Sequence, residues 1–375
     1  MAFATDDEEL GNLSMPTESR RRVNVLFRSE IDIDDWRAAN ARGERPDATP
    51  YGLHRIAEHG FDVAWDPAFP VSTLHKLAVL APQPARSGRD ALSLAWDEHT
   101  ALRMQAANRP GPQACGVIWA TDGLGDPSIR GRLQLAVMRR VLRRMTLLWC
   151  LSRAQLAPLA DWLEVDPAGI RFIRFGIDTD FFTPGSPPAT PMILSLGNDQ
   201  DRDPQTLLRA FSLVRARLPD VQLRLQSKAD FALPEGATRV PHLPHAALRD
   251  EYARASVVAV ATRPNLHVSG MTTVLEGMAS ARPVVLSDTP GAADYVADDH
   301  WGYRAAPGDP QSLAEAMIKA LDPETGARLG AAGRRAAEEG FSSRHMVAAL
   351  AAALHETIDR SPSVARLRHD TAPTE

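Results

Sequence analysis

A glycine directly before a helix, near residue 270, has the residue types of an anion-binding site. The segment from Val268 to Asp288 reads as the end of a strand, then Gly270, then a helix pattern. Backbone amides near Gly270, Met271 and Thr272 would lie at the helix N-terminus, where the first amides have no intrahelical partner and the helix dipole favours negative charge. The pattern therefore predicts a docking point for an anion such as a diphosphate.

Glu276 lies one helical turn further along the same segment. Val274, Leu275 and Met278 share the apolar face of the predicted helix, whereas Glu276 follows Thr272 by one turn and faces the predicted cleft. A carboxylate at that distance from a phosphate can accept hydrogen bonds from a ribose diol. An ordinary exposed glutamate on a surface helix fits the pattern equally well, and both interpretations stay open.

The length and charge of the chain narrow the class of protein. Its 375 residues suit two domains of ordinary size with a cleft between them. The 42 Lys and Arg residues against 47 Asp and Glu residues give a net charge of −5, which argues against a protein that coats nucleic acid. No apolar run reaches the roughly 18 to 20 residues of a membrane span.

The cysteine count and the N-terminus indicate a cellular compartment. Two cysteines, Cys115 and Cys150, are too few for a disulfide framework or a thiolate metal site. The N-terminus is acidic where an export signal would be basic and then apolar. We therefore expect a cytoplasmic protein with buried, reduced thiols.

Two αβ domains must position these residues. Apolar β-branched runs alternate with helix-period stretches, which is typical of a doubly wound parallel sheet. The segment 183–191 has four prolines in nine residues, so it can neither pair in a central strand nor continue a helix. We place a first domain at 21–182, this linker at 183–191, a second domain at 192–342, a C-terminal helix at 343–361 that can cross back to the first domain, and disordered tails at 1–20 and 362–375.

The elements follow from periodicity and capping residues. Strands are predicted at 23–27, 61–65, 116–121, 146–151, 170–175, 192–196, 221–225, 257–261 and 283–287. Helices are predicted at 207–218, 245–255 and 272–281, with three more before residue 360. Ser152 and Gln155 have the spacing of a capping box, which predicts a helix start at Ser152. In paired αβ domains a ligand binds at the carboxyl ends of the strands, which here face the cleft.

Four ordered motifs resemble those of the retaining glycosyltransferases of family four, which have the GT-B fold of two Rossmann-like domains facing across a cleft. The motifs are 269–285 (Ser-Gly, then Leu-Glu-Gly-Met-Ala, then Arg-Pro-Val-Val), 175–184, 194–208 and 306–315. The resemblance covers residues 170 to 345 strongly and the first half weakly. It implies that the second domain binds a nucleotide diphosphate sugar, while the first binds the acceptor, which can be a glycan, a lipid-linked glycan or a small metabolite.

Carried over by position, the resemblance implies a donor site made of Gly197, Arg202, His267, Ser269, Gly270, Met271, Thr272 and Glu276. Glu276 would hold the ribose, and Arg202 would neutralise the diphosphate with its two-pronged guanidinium. Gly197 would let the backbone approach closely. A solvated loop charge is the alternative for Arg202. Val268 stands where many members have a glutamate that contacts the donor sugar, and Asn198 where many have arginine, so the identity of the donor sugar cannot be carried over.

The resemblance also implies a mechanism without a metal or a bound cofactor. The anomeric configuration would be retained by front-face displacement, in which the leaving phosphate oxygen takes the proton of the acceptor hydroxyl. In the first domain Asp97, His99 and Asp122 are candidate catalytic residues because loops at strand ends carry such groups, although each also fits a cap or a loop polar group. The polar stretch 28–47 is expected to face the cleft and shape the acceptor pocket.

Two further patterns have competing interpretations. Asp178 and Asp180 have the Asp-x-Asp spacing that binds a metal in a different glycosyltransferase fold, but their place before the linker favours a turn-capping role. The arginine-rich helix at 130–144 fits peripheral contact with an anionic membrane, or a solvated face paired with local acids.

The leading interpretation is a hexosyltransferase whose partners are a nucleotide-sugar donor and a hydroxyl acceptor, without nucleic acid. The alternatives are a GT-B sugar-nucleotide epimerase or phosphorylase, since fold does not fix reaction, and a non-catalytic nucleotide-sugar-binding protein.

Overall fold

The computed structural model describes residues 21–28, 30–67, 91–107, 109, 111–186, 188–229 and 231–360. The tails predicted at 1–20 and 362–375 lie outside these residues. Within the described part, two six-stranded parallel sheets form the GT-B architecture that the sequence predicts. The first has the order β2-β1-β3-β4-β5-β6 and the second the order β12-β11-β10-β7-β8-β9.

The strands of the first sheet are β1 (Arg21–Phe27), β2 (Phe61–Pro67), β3 (Ala91–Ala95), β4 (Gln113–Val117), β5 (Leu147–Cys150) and β6 (Ile170–Phe172). Those of the second are β7 (Met192–Ser195), β8 (Gln222–Gln226), β9 (Ala237–Val240), β10 (Val257–Val260), β11 (Val284–Ser287) and β12 (Gly302–Ala305). The central strands are continuous apolar runs because helices cover both faces of a parallel sheet. All four residues of β10 are fully buried.

The helices are α1 (Ile33–Ala41), α2 (Glu98–Ala106), α3 (Ile129–Leu142), α4 (Leu156–Leu163), α5 (Pro204–Arg217), α6 (His245–Ala253), α7 (Met271–Ala279), α8 (Pro310–Leu321), α9 (Pro323–Gly340) and α10 (Ser343–Arg360). The last three are the helices expected before residue 360. α10 packs against the first domain, where the His355 ring stacks on Phe61 with 4.2 Å between centroids. No helix in these residue ranges combines the length and the apolar character needed to cross a membrane.

Three strands escaped prediction, and one was placed too far along the chain. β9 and β12 are edge strands of four residues with polar side chains, and β3 is short and rich in small residues. β4 ends at Val117 rather than at residue 121, because the buried carboxylate of Glu98 accepts hydrogen bonds from the amides of Ile118, Trp119 and Ala120 at 2.7 to 3.0 Å. The Glu98 carboxylate thus accepts the hydrogen bonds that a neighbouring strand would otherwise accept, and the backbone turns away from the sheet.

The capping box predicted at Ser152 is wrong in its second half. Ser152 Oγ accepts a hydrogen bond from the Ala154 amide at 3.2 Å and caps a short 3₁₀ turn before α4. The Gln155 side chain does not return to Ser152. It donates instead to the Ile118 carbonyl at 2.8 Å and to Thr121 Oγ1 at 2.9 Å, and so fixes the loop that follows β4.

Candidate functional site

A cavity of about 850 Å³ lies at the carboxyl ends of the strands of both sheets. Its first-domain wall contains aromatic side chains and the stretch 35–45, part of the polar segment expected to face the cleft. Its second-domain wall contains the loop after β7, the loop after β9 and the segment 267–273 with Glu276. The predicted cleft is therefore present, and all eight of the predicted donor-site residues line it.

Helix α7 presents free backbone amides to this cavity. Gly270 is the N-cap residue in the left-handed region (φ 90°), and no side chain caps the helix. In the described part of the chain, no group accepts a hydrogen bond from the amides of Gly270, Thr272 and Thr273. The Met271 amide was predicted to be free, but it donates to the Val268 carbonyl at 3.0 Å because the left-handed turn closes on itself. Three donors at a helix N-terminus remain available to an anion.

Ser269 has a structural role beside these amides. Its amide donates to Asn265 Oδ1 at 2.9 Å, and its hydroxyl donates to Asp199 Oδ1 at 2.6 Å. Both groups are thus occupied, although Ser269 lines the cavity. We conclude that Ser269 fixes the turn before α7.

Arg202 lies between two glycines that come from different loops. Gly197 (φ 101°) and Gly270 both have left-handed backbone. A Cβ atom on Gly197 would lie 2.5 Å from Arg202 Nη2, and one on Gly270 would lie 2.9 Å from Nη1. Nη2 donates to Thr273 Oγ1 at 2.9 Å, while the buried Nε has no hydrogen-bond partner in the described ranges. Because a guanidinium has five N–H donors, Arg202 keeps donors for an anion at the start of α7.

Glu276 lines the cavity and is only 8% exposed, so the surface-helix interpretation is wrong. Burial raises the pKa of Glu276 to about 7, while the neighbouring Tyr252 hydroxyl and the charge of Arg202 act in the opposite direction. A buried carboxylate needs donors to compensate for lost hydration. The hydroxyls of a ribose supply such donors.

Asp122 joins the two domains instead of lining the cavity. Its two carboxylate oxygens take hydrogen bonds from the Leu266 amide at 2.6 Å and from His267 Nδ1 at 2.7 Å. His267 lines the cavity and is 3% exposed. Asp122 therefore orients a donor-site histidine, which is a positioning role rather than the direct catalytic role predicted for it.

A second carboxylate, Asp199, faces the other nitrogen of His267. Nε2 lies 3.4 Å from Asp199 Oδ1, and Nδ1 lies 3.9 Å from Asp201 Oδ2. Burial alone would lower the pKa of His267, but the hydrogen bond with Asp122 and the charges of Asp122 and Asp199 outweigh burial and raise the pKa to about 9. The same contacts lower the pKa of Asp199 despite its burial. At neutral pH the group is therefore an imidazolium held by carboxylates.

Asp199, Asp201 and His267 are also the one group in the described ranges whose ligand atoms lie close enough to share a metal ion, all within 4.8 Å of one another. Both aspartates lie within the motif at 194–208, but the sequence analysis assigned no role to either of them. Asp199 Oδ1 already accepts from the Ser269 hydroxyl and from the Asp201 amide. Asp122 contacts the same ring, so three carboxylates surround one histidine in this cluster.

Asp97 and His99 do not line the cavity. The Asp97 carboxylate caps α2 by accepting from the Thr100 amide at 2.7 Å, and it lies 3.3 Å from Arg28. The ring of His99 stacks on Trp119 with 6.0 Å between centroids. These placements do not support the catalytic roles predicted for them.

The Asp178 side chain caps a turn, as its position before the linker favoured. Oδ1 accepts from the amides of Asp180 and Phe181 at 2.9 and 3.1 Å, and Oδ2 accepts from the Asp47 amide at 2.7 Å. Asp180 points elsewhere and pairs with Arg344 at 3.0 Å. The two carboxylates therefore do not act together.

An aromatic wall on the first domain was missed by sequence reasoning. Tyr51, Trp96, Trp119 and Phe175 line the cavity. Tyr51 stacks on Trp96 with 4.2 Å between centroids and 11° between planes. These residues come from separate loops at no fixed spacing, and only tertiary structure brings them together.

Residues 190–323 match the family model described as glycosyl transferases group 1. The second domain is therefore similar to the group 1 glycosyltransferases. This match covers the loop with Arg202, the start of α7 and Glu276, and it ends near the junction of α8 and α9. The matched residues therefore include those of the second-domain wall of the cavity.

Two curated relatives extend the likeness. The chain is 27% identical over 239 residues to the MMP alpha-(1->4)-mannosyltransferase of Mycolicibacterium hassiacum, which is 60% of this chain and 57% of that protein. It is 30% identical over 233 residues to the D-inositol 3-phosphate glycosyltransferase of Mycolicibacterium smegmatis, which is 55% of this chain and 51% of that protein. The chain spans about half the length of the curated relatives it matches.

Solved structures share the whole two-domain fold. Sucrose-phosphate synthase from Thermosynechococcus elongatus superimposes with a TM-score of 0.65 at 16% identity, covering 91% of this chain and 100% of that one. The Anabaena protein HepE, solved with UDP-glucose, gives a TM-score of 0.64 at 14% identity, covering 89% and 99%. At such identities the likeness establishes the GT-B fold of this chain.

Proposed function

We propose that this protein is a retaining hexosyltransferase that moves a sugar from a nucleoside diphosphate sugar to an acceptor hydroxyl. One observation carries the proposal: three free amides at the start of α7, the Arg202 guanidinium and the Glu276 carboxylate line the same cavity. Together they offer donors to a diphosphate and an acceptor to a ribose diol, one helical turn apart. The family of the second domain supports the same activity.

In this reaction the protein acts mainly by electrostatic stabilisation of the leaving diphosphate. The bond from the anomeric carbon to the diphosphate oxygen breaks, and a bond to the acceptor oxygen forms on the same face of the sugar. The leaving phosphate oxygen takes the acceptor proton. Arg202 and the amides of Thr272 and Thr273 stabilise the charge that develops on the diphosphate. His267 lies on the same wall with its ring oriented by Asp122, but the neighbouring carboxylates offset its charge.

We propose that neither a metal nor a bound cofactor takes part. The protein supplies the positive charge at the diphosphate through Arg202 and the helix dipole. Asp199 faces His267 and balances its charge, so the Asp199–His267 pair acts as an ion pair within the donor wall.

The acceptor is proposed to be a glycan, a lipid-linked glycan or a small polyol. The two curated relatives are named as an alpha-(1->4)-mannosyltransferase and a D-inositol 3-phosphate glycosyltransferase, and the second name supports an acceptor rich in hydroxyls. Contact with an anionic membrane is proposed for α3, where Ile129 and Leu133 are 79% and 65% exposed one turn apart. Arg130 and Arg132 flank them, whereas Arg139 pairs with Glu164.

A ligand screen tests the activity. Thermal unfolding is measured with UDP, GDP and their hexose conjugates, because a ligand at 100 times its dissociation constant stabilises a protein by about 2.7 kcal/mol. The donor that shifts the midpoint is then incubated with methyl glycosides and inositol, with and without EDTA. Acceptor-dependent release of nucleoside diphosphate that EDTA leaves unchanged is expected. Donor binding without a product would support a non-catalytic binding protein, and loss of turnover in EDTA would contradict the metal-free mechanism.

A further inference from the structure

The aromatic wall opposite the donor residues is built on strained backbone. Tyr51 has left-handed backbone (φ 59°, ψ 14°), followed by Gly52 at φ 67°. A bulky residue with a Cβ atom is disfavoured in this region, and such residues persist only where the surroundings enforce them. Strain of this kind concentrates at ligand sites, so the side chain that it presents is a candidate for function.

A buried polar network enforces this conformation. The Asp47 carboxylate accepts from Arg55 Nη2 at 2.9 Å and from Ser343 Oγ at 3.2 Å, while the Asp47 amide donates to Asp178 Oδ2 at 2.7 Å. A Cβ atom on Gly52 would lie 2.9 Å from Ser343 Cβ. The loop is therefore tied both to α10 and to the turn before the linker. This network leaves Tyr51 little freedom to relax out of the cavity.

The Tyr51 ring has one covered face and one accessible side. Trp96, itself 4% exposed, covers one face in a stacked contact, yet Tyr51 remains 40% exposed and lines the cavity. In the described part of the chain its hydroxyl has no hydrogen-bond partner. A flat apolar surface with a free O–H group at its edge is thus available to a ligand.

We propose that Tyr51, supported by Trp96, is the acceptor subsite, and that it takes a saturated six-membered polyol ring such as a pyranoside or a cyclitol. This inference rests on the proposed transferase function. Such a ring has an apolar C–H face that packs on an aromatic face and hydroxyls at its rim that can meet the Tyr51 O–H. An open-chain polyol has hydroxyls but no flat face. A long alkyl chain would meet charged groups on the same wall, among them Asp35, Arg42 and Arg45.

The test compares three polyols on the full chain, each in the presence of the nucleoside diphosphate that binds best. The probes are methyl α-D-mannopyranoside and myo-inositol, which are rings, and D-mannitol, which is an open chain. Saturation-transfer NMR and tryptophan fluorescence report binding, because Trp96 contacts the ring of Tyr51. Tyr51→Ala removes the aromatic face, Tyr51→Phe keeps it, and Tyr303→Ala is a control on β12, outside the cavity lining.

Saturable binding of the two rings but not of mannitol is expected. Tyr51→Ala should weaken ring binding about 10-fold, whereas Tyr51→Phe and Tyr303→Ala should stay within about 3-fold of the parent. Equal binding of mannitol would overturn the ring assignment. A Tyr51→Ala variant that loses nucleotide affinity instead would show that the ring holds the nucleobase, and this too would overturn it. Failure of the parent protein to bind any nucleotide is read in a separate titration and would count against the transferase proposal itself.

Discussion

The two walls of the cavity offer different chemistry to a ligand. The second-domain wall uses backbone amides, a guanidinium wedged between two glycines, and charged groups held by hydrogen bonds. The first-domain wall uses aromatic faces on strained backbone. A nucleoside diphosphate has a fixed pattern of charges that a local sequence motif can match, whereas an acceptor is recognised by shape. The contrast teaches that the charged wall of this cavity can be found from sequence, and that its aromatic wall must be found from structure.

The largest effect should come from closing the space beside Arg202 with Gly270→Ala. The new Cβ would lie 2.4 Å from Val260 Cγ1 and 2.9 Å from Arg202 Nη1, on left-handed backbone. We expect donor affinity to fall by about 100-fold, since strain and a displaced guanidinium together cost about 3 kcal/mol. Isothermal titration with the preferred nucleotide measures this.

Gly308→Ala is the matched control for that variant. Gly308 has φ 72°, and a Cβ there meets no atom within 4 Å, so the backbone strain is similar without a clash. The control should lose stability but keep its nucleotide affinity. A folded Gly270→Ala protein that binds the donor normally would mean that the diphosphate does not dock at α7.

The contacts of His267 with Asp122 and Asp199 should make the free energy of unfolding decrease as the pH becomes alkaline. Its pKa of about 9 in the folded protein exceeds the unfolded value of about 6.5, so the stabilisation is complete below pH 6.5 and is lost as pH rises through 9. The loss should be on the order of 3 kcal/mol. Urea unfolding of the parent and of His267→Gln between pH 6 and pH 10 gives the difference, because other groups titrate equally in both. Parallel curves would exclude a charged His267.

The smallest effect is expected for the helix surface outside the cavity. Replacing Ile129 and Leu133 by serine should lower sedimentation with phosphatidylglycerol vesicles several-fold and leave soluble transfer unchanged, since each exposed apolar side chain and nearby arginine adds only about 1 kcal/mol. Leu213→Ser, which removes an exposed leucine on α5, is the control. If the parent protein does not bind the vesicles, the proposed contact of α3 with an anionic membrane is wrong.

Sequence reasoning reached the donor wall because Gly270, Glu276 and Arg202 lie in segments where a backbone or charge requirement fixes the residue type. It failed where a side chain replaces a regular pattern. Glu98 ends β4 early because its carboxylate accepts hydrogen bonds from three backbone amides. Gln155 does not cap its own helix but donates a hydrogen bond to a loop 37 residues away in sequence. It also could not find Tyr51, because the network of Asp47 and Ser343 that shapes the loop spans nearly 300 residues of chain. Long-range contacts of this kind leave no local periodicity.

The central claim, a nucleotide ribose held by Glu276, is tested most directly by a double cycle of binding measurements. The preferred nucleoside diphosphate and its 2′,3′-dideoxy analogue are titrated against the parent protein and Glu276→Gln above pH 8, where a pKa of about 7 leaves the carboxylate charged. The account predicts that the substitution weakens the ribonucleotide by about 10-fold or more, through loss of charge-assisted hydrogen bonds worth about 1.5 to 3 kcal/mol, and leaves the dideoxy analogue nearly unaffected. Equal losses for both ligands would contradict it.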